Sequence, residues 1–242
     1  MTDAKVVLIT GSAQRLGAAA VREFHQRDWR VLIHCRHSRH AADALAAELN
    51  LRRADSARVL VADLADHQQV LQLAVAAANS WGRLDALINN ASSFYPTPIG
   101  EATQAQWRDL FASNAEAPFF LAQALTPALE KQQGCIINMV DIHASRPRAE
   151  HTIYCMAKAA LLMMTKSLAK ELAPRVRVNG IAPGAILWPE GANESTQQKI
   201  LEHIPMGACG SPEDIARTIA FLVMEAPYVT GQIITVDGGR SL

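Results

Sequence analysis

The sequence predicts a doubly wound α/β protein, in which a parallel sheet carries helices on both faces, formed as a single domain over residues 1–242. Short runs of apolar, strand-favouring residues alternate with segments of helical periodicity along the whole chain. The strand runs are continuously apolar rather than alternating, which is typical of parallel strands buried on both faces. No linker, repeat or low-complexity tract interrupts this pattern, so the elements are expected to share one layered core.

The predicted strands are short apolar runs such as "KVVLIT" and "GCIINMV". In chain order they cover residues 5–10, 30–35, 57–64, 84–91, 134–140, 176–184 and 232–239. Helical segments separate them, and a crossover of that length joins parallel strands rather than antiparallel ones.

Helices are predicted where apolar residues recur with a period near that of the α-helix. They cover residues 15–28, 39–50, 66–82, 103–131, 152–173 and 211–225. Gly82 can take the left-handed conformation that ends a helix, and Ser211 followed by Pro212 is a good start signal for the last one. The alternation fails only over residues 185–210, which are predicted to form a mobile segment that closes over a ligand.

Composition and charge argue against several classes of function. The formal net charge of zero gives no overall field for binding nucleic acid or an anionic membrane. No apolar run could span a bilayer, and the first residues do not resemble a signal peptide. The four cysteines show no zinc spacing, and His34, His37 and His40 run from strand to helix without sharing a face. We therefore expect a cytoplasmic protein with reduced thiols and no metal site.

The stretch "TGSAQRLG" (10–17), between the first strand and the first helix, has the context of a nucleotide-binding turn. Gly11 permits a tight turn and Gly17 permits close packing of helix on strand, while the helix N-terminus offers free N–H groups to a pyrophosphate. Arg15 stands where such turns commonly carry another glycine. An ordinary strand-to-helix turn is the alternative, and the position after the first strand of an alternating chain favours nucleotide binding.

The residues that follow the second strand predict which dinucleotide binds. Proteins that prefer NAD place an acidic residue there to bind the ribose 2′-hydroxyl. This chain has Arg36, His37 and Ser38 instead, and the Arg36 guanidinium can contact a 2′-phosphate, so we expect NADPH. Asp63 and Leu64 follow the third strand and suit contacts near the adenine; a simple helix cap is the other interpretation of Asp63.

A candidate catalytic pair lies in the helix predicted over residues 152–173. Tyr154 and Lys158 are four residues apart and therefore share a helix face. The lysine charge is expected to lower the tyrosine pKa, which would make the phenol a better proton shuttle at neutral pH. Asp141 stands thirteen residues before Tyr154, at the end of the fifth predicted strand.

These motifs together resemble the short-chain dehydrogenase/reductase family over essentially the whole chain. The resemblance is carried by "TGxxxRLG", "INNA", a helical Asn114, "YxxxK" and "VNGIAPG". Three positions depart from the usual family pattern: Asp141 replaces a serine, Arg15 replaces a glycine, and "NNASSF" (89–94) replaces NNAG. The departures occur together in the pteridine reductase branch, which "NNASSFYPTPI", "HTIYCMAKAAL" and "PGAIL" also resemble.

The resemblance implies a Rossmann-type fold and hydride transfer from NADPH to a dihydropterin such as dihydrobiopterin or dihydromonapterin, with dihydrofolate as a further candidate substrate. Tyr154 would act in proton transfer with help from Asp141, Lys158 would hold the nicotinamide ribose, and Asn114 would support the lysine through a water. The implied cofactor contacts are Gly11, Arg15, Leu16, Gly17, Arg36, His37, Ser38, Asp63, Leu64, Asn90, Ala91, Ser92, Lys158, Pro183 and Gly184. The implied substrate contacts are Arg15, Ser92, Phe94, Asp141 and Tyr154.

Physical chemistry agrees with these roles. A pterin is flat and polar, so the ring of Phe94 and a few convergent hydrogen-bonding groups suit it. The carboxyl group of Asp141 can carry a proton and accept from the amino groups of a pterin. The Arg15 guanidinium can face both the pyrophosphate and the pterin carbonyl oxygen; the alternative is that it points to solvent.

Two other functions compete with this one. A carbonyl reductase of the same family, acting for example on a 3-oxoacyl thioester, would have little use for Asp141, Phe94 and Arg15. A regulatory protein that senses NADP would not need the proton shuttle of Tyr154 and Lys158.

The resemblance also suggests a homotetramer, whereas the sequence by itself supports only an oligomer, because the helix over 152–173 is unusually apolar. Arg240 is expected within reach of a neighbouring subunit's site. No direct role is expected for His143 or His151. Trp188 could line the pocket, and the methionines of the apolar helix are expected in the core or an interface: Met156, Met163 and Met164.

Overall fold

A computed structural model describes residues 4–188, 191 and 193–242, and within them it contains one seven-stranded sheet. The strands are β1 (Val6–Ile9), β2 (Arg30–Cys35), β3 (Ala57–Val61), β4 (Ala86–Asn89), β5 (Cys135–Met139), β6 (Arg177–Pro183) and β7 (Ile233–Val236). They lie in the order β3-β2-β1-β4-β5-β6-β7, and every neighbouring pair is parallel. The predicted doubly wound α/β fold is therefore confirmed.

Eight α-helices are described: α1 (Arg15–Gln26), α2 (Arg39–Arg52), α3 (His67–Asn79), α4 (Gln104–Phe111), α5 (Ala117–Lys131), α6 (Thr152–Leu172), α7 (Glu194–Leu201) and α8 (Pro212–Met224). The single helical region predicted over 103–131 is divided, because a π-helical segment, Ala112–Glu116, lies between α4 and α5. A short 3-10 helix, Ile142–Ala144, follows β5. None of the helices formed by the described residues is long and apolar enough to cross a membrane.

Both faces of the sheet are buried, as continuously apolar strands require. Along β1, Val7 and Ile9 face a cluster with α1, α2 and α8, whereas Val6 and Leu8 face a second cluster with α3, α5 and α6. All four side chains are fully buried. Burial of each contributes about 1.5–3 kcal/mol relative to exposure, which explains why the strands carry no polar alternation.

The helix start predicted at Ser211 is present. The Ser211 side chain accepts from the Asp214 N–H, the Asp214 carboxylate accepts from the Ser211 N–H, and Pro212 occupies the first turn. This reciprocal capping satisfies two N–H groups that the helix itself leaves without partners.

Residues 185–210 are more ordered than their irregular sequence suggested. The middle of the segment contains α7, which was not predicted and which has no buried residue, although Asn193 caps it. The Gly210 N–H donates to the Ala185 carbonyl at 3.0 Å, which joins the two ends of the segment. The mobility of the segment stays a prediction, and positions 189, 190 and 192 lie outside the described residues.

The carboxyl edge of the sheet is where the sequence-predicted residues meet. The chain leaves β1 toward β2 and β3 on one side and returns with β4 on the other side, so the strand order reverses between β1 and β4. In doubly wound sheets a ligand crevice forms at the carboxyl ends of the strands beside such a reversal.

Candidate active site

The glycine turn leaves no room for side chains at two positions. A Cβ placed on Gly11 would lie 2.8 Å from the Ala91 Cα, and one on Gly17 would lie 2.6 Å from the Gly11 carbonyl oxygen. Gly11 also has a φ of 59°, a left-handed conformation that glycine adopts without strain. Gly11 therefore allows the tight turn and Gly17 the close packing of helix on strand, as the sequence predicted.

Arg15 has a left-handed backbone conformation of the kind that glycine adopts most readily. Its φ is 54°, and such a conformation costs a residue with a Cβ about 1 kcal/mol relative to glycine. The side chain is exposed and has no hydrogen-bond or ion-pair partner among the described residues. A strained, exposed arginine at the N-terminus of α1 is therefore available to an anionic ligand. Gln14 makes no side-chain cap there, so the first N–H groups of α1 are available as well.

The nucleotide end of the crevice is basic and open. Arg36, His37 and Ser38 are all exposed directly after β2. Arg36 Nη1 lies 3.6 Å from Asp63 Oδ1 beyond β3, so the structure brings together two of the predicted cofactor contacts. The Leu64 side chain is only 8% exposed and belongs to the core, which leaves its backbone alone for a cofactor.

Residues after β4 are tied to the glycine turn through Thr10. The Thr10 hydroxyl accepts from the N–H groups of Asn90 and Ala91, and the Asn90 amide donates to the carbonyls of Thr10 and Gly11. Ser92, the next residue, is exposed at the crevice edge. Thr10 is part of the glycine motif, but the sequence did not predict that its hydroxyl would hold the residues after β4.

Asp141 and Tyr154 form the centre of the candidate site. The Tyr154 hydroxyl donates to Asp141 Oδ2 at 2.7 Å, and Asp141 Oδ1 accepts from the His143 N–H at 2.8 Å. The backbone N–H of His143 thus orients the carboxylate at the start of the 3-10 helix, while the His143 ring bonds to the Arg146 carbonyl. The predicted pairing of Asp141 with Tyr154 is present in the geometry.

Tyr154 has a pKa raised far above that of a free phenol. Burial is the largest cause, followed by the charge of Asp141 and the hydrogen bond to it, while a hydrogen bond with Ser92 acts in the opposite direction. The net shift is upward because burial and the neighbouring carboxylate are its largest causes, and a lowering contribution from Lys158 stays a prediction. Tyr154 is therefore protonated at neutral pH, and it can donate its proton only if a nearby positive charge stabilises the phenolate.

Lys158 is buried on the same face of α6. Its ammonium donates to the Met139 carbonyl at 2.8 Å and lies 5.7 Å from the centroid of the Tyr154 ring. Burial lowers the Lys158 pKa to about 8, and the charge of Asp141 opposes that shift. Because the Lys158 ammonium is buried beside the end of β5, its positive charge is poorly screened by solvent and interacts mainly with groups inside the crevice.

Asn114 holds the loop that follows β4. It lies in the π-helical segment, accepts from the Ser92 hydroxyl at 2.7 Å and donates to the Ser93 carbonyl at 2.9 Å. Ser113, which sequence reasoning missed, accepts from the Ser93 N–H. The π-helical segment thus presents two successive polar side chains, Ser113 and Asn114, to the loop after β4. Support of Lys158 by Asn114 through a water stays a prediction.

Phe94 lies beside the catalytic candidates with half of its surface open. The ring is 51% exposed, meets the Tyr154 ring edge-on at 4.8 Å between centroids, and stacks on His151 at the same separation. No direct role was predicted for His151, but its ring supports the Phe94 ring by stacking on it. Its position three residues before Tyr154 is the only signal that the sequence offered.

The remaining predicted residues lie at the end of β6, in the segment that follows it, and near the C-terminus. Pro183 and Gly184 end β6 half-buried, and a Cβ on Gly184 would lie 2.4 Å from the Asp237 Cβ. Trp188 is 37% exposed. Arg240 bonds through its backbone to the Asp237 carbonyl, and its reach toward another subunit stays a prediction. Among the described residues, no group of three or more histidine, cysteine, aspartate or glutamate side chains could hold a metal ion.

Comparisons with known proteins agree with this geometry. The family profile described as Enoyl-(Acyl carrier protein) reductase matches residues 11–241. The chain is 37% identical to pteridine reductase 1 of Leishmania tarentolae, with 99% of this chain and 97% of that protein covered. It is 33% identical to the 3-oxoacyl-[acyl-carrier-protein] reductase FabG of Thermotoga maritima, covering 98% of each, and 30% identical to the FabG of Staphylococcus aureus, covering 99% of each. The chain belongs to the short-chain dehydrogenase/reductase family of oxidoreductases.

Proposed function

We propose that this protein is an NADPH-dependent pteridine reductase, which reduces a dihydropterin to the tetrahydropterin. The observation that carries the proposal is the hydrogen bond of 2.7 Å from Tyr154 to Asp141, beside the half-exposed ring of Phe94. A protonated phenol next to a carboxylate and an open aromatic face suits a flat heterocycle that accepts a proton and presents amino groups. The likeness of the chain to a pteridine reductase supports the same activity.

The carboxyl edge of the sheet fits a nicotinamide dinucleotide. A pyrophosphate would lie at the uncapped N-terminus of α1, where the turn at Gly11 has no space for a side chain. The exposed guanidinium of Arg36 would bind the 2′-phosphate, and Lys158 would hold the nicotinamide ribose. When bound, NADPH supplies the hydride. The other proposed contacts are Arg15, Leu16, Gly17, His37, Ser38, Asp63, Leu64, Asn90, Ala91, Ser92, Pro183 and Gly184.

Tyr154 would donate the proton of the reaction. Reduction of the carbon–nitrogen double bond of a dihydropterin adds a hydride to carbon and a proton to nitrogen, so a general acid is required. The raised pKa of Tyr154 keeps its phenol protonated until the transfer. The buried ammonium of Lys158 would stabilise the phenolate that remains, and solvent would return the proton.

Three side chains would fix the substrate. Phe94 would stack on one face of the pterin, and the Asp141 carboxylate would accept from its amino groups. Arg15, exposed and without a partner among the described residues, would pair with the pterin carbonyl oxygen and with the pyrophosphate. Ser92 would complete the polar edge, because the residue is exposed and its hydroxyl is fixed by a hydrogen bond to Asn114.

A second candidate function is reduction of a 3-oxoacyl thioester. The family profile and the FabG proteins that match along the whole chain favour it. Against it, a ketone offers no amino groups for Asp141 and no flat ring for Phe94. A protein that only senses NADP would explain neither the Tyr154–Asp141 bond nor the buried Lys158.

One assay separates these functions. NADPH oxidation is followed in parallel with 7,8-dihydrobiopterin, dihydromonapterin, dihydrofolate and an acetoacetyl thioester. The proposal expects turnover with at least one dihydropterin at a kcat/KM well above that for the thioester. Turnover of the thioester alone would establish the carbonyl reductase, and NADPH binding without any turnover would favour the sensor.

We also propose that the protein is a cytoplasmic homotetramer. Large apolar side chains are exposed on neighbouring helices of one side of the molecule: Trp107, Phe119, Met156 and Met163 are between 39% and 59% exposed. Apolar side chains grouped in this way commonly mark a subunit interface. Light scattering that gives the mass of one chain would contradict the oligomer.

A further inference from the structure

The buried ring of His34, near the end of β2, is joined to the glycine turn. The residue is 2% exposed, its Nδ1 lies 3.0 Å from the Gly11 nitrogen, and its Nε2 lies 3.1 Å from the Ala62 carbonyl oxygen. Since the Gly11 N–H can only donate, Nδ1 must be the acceptor. The hydrogen of the neutral ring is therefore on Nε2 and is donated to Ala62.

The backbone of the same residue is joined to the turn as well. The His34 N–H donates to the Ser12 hydroxyl at 3.2 Å, and the Ser12 N–H donates to the His34 carbonyl at 2.9 Å. Ala62 directly precedes Asp63, the acidic partner of Arg36. One buried side chain thus joins the proposed pyrophosphate turn to the segment expected near the adenine.

We propose that His34 is a positioning residue for the dinucleotide, because it fixes the Gly11 peptide and the end of β3 in the relative positions that the cofactor needs. Gly11 has little freedom to compensate, since its left-handed backbone packs against Ala91. Burial lowers the His34 pKa to about 4, so the ring is neutral and able to accept at every pH at which the enzyme would be assayed. The proposal rests on the dinucleotide part of the proposed function and is independent of the substrate.

Two conservative variants separate the two side-chain bonds. In His34→Asn the amide oxygen takes the place of Nδ1 and keeps the acceptor for Gly11. In His34→Gln the amide nitrogen takes the place of Nε2 and keeps the donor to Ala62 while losing that acceptor. Each variant breaks the link between Gly11 and Ala62 at one end, so we expect both His34→Gln and His34→Asn to raise the Kd for NADPH by about five- to tenfold, the effect of one lost hydrogen bond.

His25→Leu is the matched control for loss of a buried histidine. His25 is 6% exposed in α1 and bonds to Ser56, away from the carboxyl edge of the sheet. NADPH and NADH binding are measured by fluorescence titration, and Tm is measured for each variant. His25→Leu is expected to lower Tm without changing either Kd, and kcat at saturating NADPH should be unchanged in His34→Gln.

The outcomes are distinguishable from failure of the proposed function, since the titration needs no substrate. Wild-type protein that binds neither dinucleotide would overturn the cofactor assignment. Wild-type binding that His34→Gln preserves, or a Kd that rises equally in both His34 variants and in the His25 control, would overturn the positioning role.

Discussion

Replacing Asp141 by asparagine tests the centre of the proposed site, because it removes the charge and keeps the shape. The Tyr154 hydroxyl donates to this carboxylate at 2.7 Å, and Asp141 contributes to the raised Tyr154 pKa through its charge and its hydrogen bond. A hydrogen bond to a charged group is worth about 1.5–3 kcal/mol, and one pKa unit corresponds to about 1.4 kcal/mol. Asp141→Asn should therefore lower the Tyr154 pKa, because the charge of Asp141 is removed while burial of the phenol remains.

Asp141→Asn should also lower the turnover of dihydropterin strongly, for a reason separate from the change in the Tyr154 pKa. Burial still keeps Tyr154 protonated at neutral pH, but the asparagine cannot accept from the pterin amino groups as a carboxylate does. A positioned acid–base group typically contributes about 100-fold or more to the rate, so loss of the carboxylate should lower kcat/KM for dihydropterin by about that factor. NADPH binding should stay unchanged. The assays are steady-state NADPH oxidation and NADPH titration.

A second tyrosine–aspartate pair provides a control. Tyr95 donates to Asp109 Oδ2 at 2.8 Å on α4, and burial with the Asp109 hydrogen bond raises the Tyr95 pKa to about 12. Asp109→Asn should change the titration of Tyr95 and leave most of the dihydropterin turnover. If Asp141→Asn turns over dihydropterin as well as the wild type does, the substrate assignment is refuted.

Three further predictions concern charge. The Lys158 pKa of about 8 predicts that kcat/KM falls as pH rises above 8, because the ammonium that stabilises the Tyr154 phenolate is lost; a flat profile from pH 7 to about 9.5 would contradict the value. Arg36→Ala should raise KM for NADPH about 10- to 100-fold and leave KM for NADH nearly unchanged, and an equal change in both would exclude a 2′-phosphate contact. Arg15→Gly should raise the free energy of unfolding by about 1 kcal/mol, since the φ of 54° suits glycine, while KM for dihydropterin and NADPH rises; unchanged kinetics would mean that Arg15 only faces solvent.

Much of the fold could be predicted from sequence because the signals are local. Continuous apolar runs predicted all seven strands to within a few residues, and the cap at Ser211 with Pro212 gave the start of α8. The division of the helix over 103–131 could not be predicted, since the π-helical segment contains ordinary helix-forming residues and is paired with a loop that precedes it by about 20 positions. Helix α7 was missed because it buries no side chain and so shows no apolar periodicity.

The residues of the candidate site likewise fall into those that local sequence patterns predicted and those that only the structure revealed. The spacing of Tyr154 and Lys158 and the place of Gly11 after the first strand were readable from the chain. His34 was considered only as a metal ligand, because its bond to Gly11 joins residues 23 positions apart. His151 and Ser113 likewise act through contacts that no motif encodes.

The sequence by itself determined the order of strands and helices, the glycine positions and the residue types that gather at one edge of the sheet, since each follows from neighbouring residues. Only the tertiary structure decided the protonation of those residues. The Tyr154 pKa is raised rather than lowered because the fold buries the phenol and brings Asp141, thirteen positions away, to within 2.7 Å of it. Burial and contact between distant segments set the electrostatic environment of a side chain, and neither can be calculated from spacing along the chain.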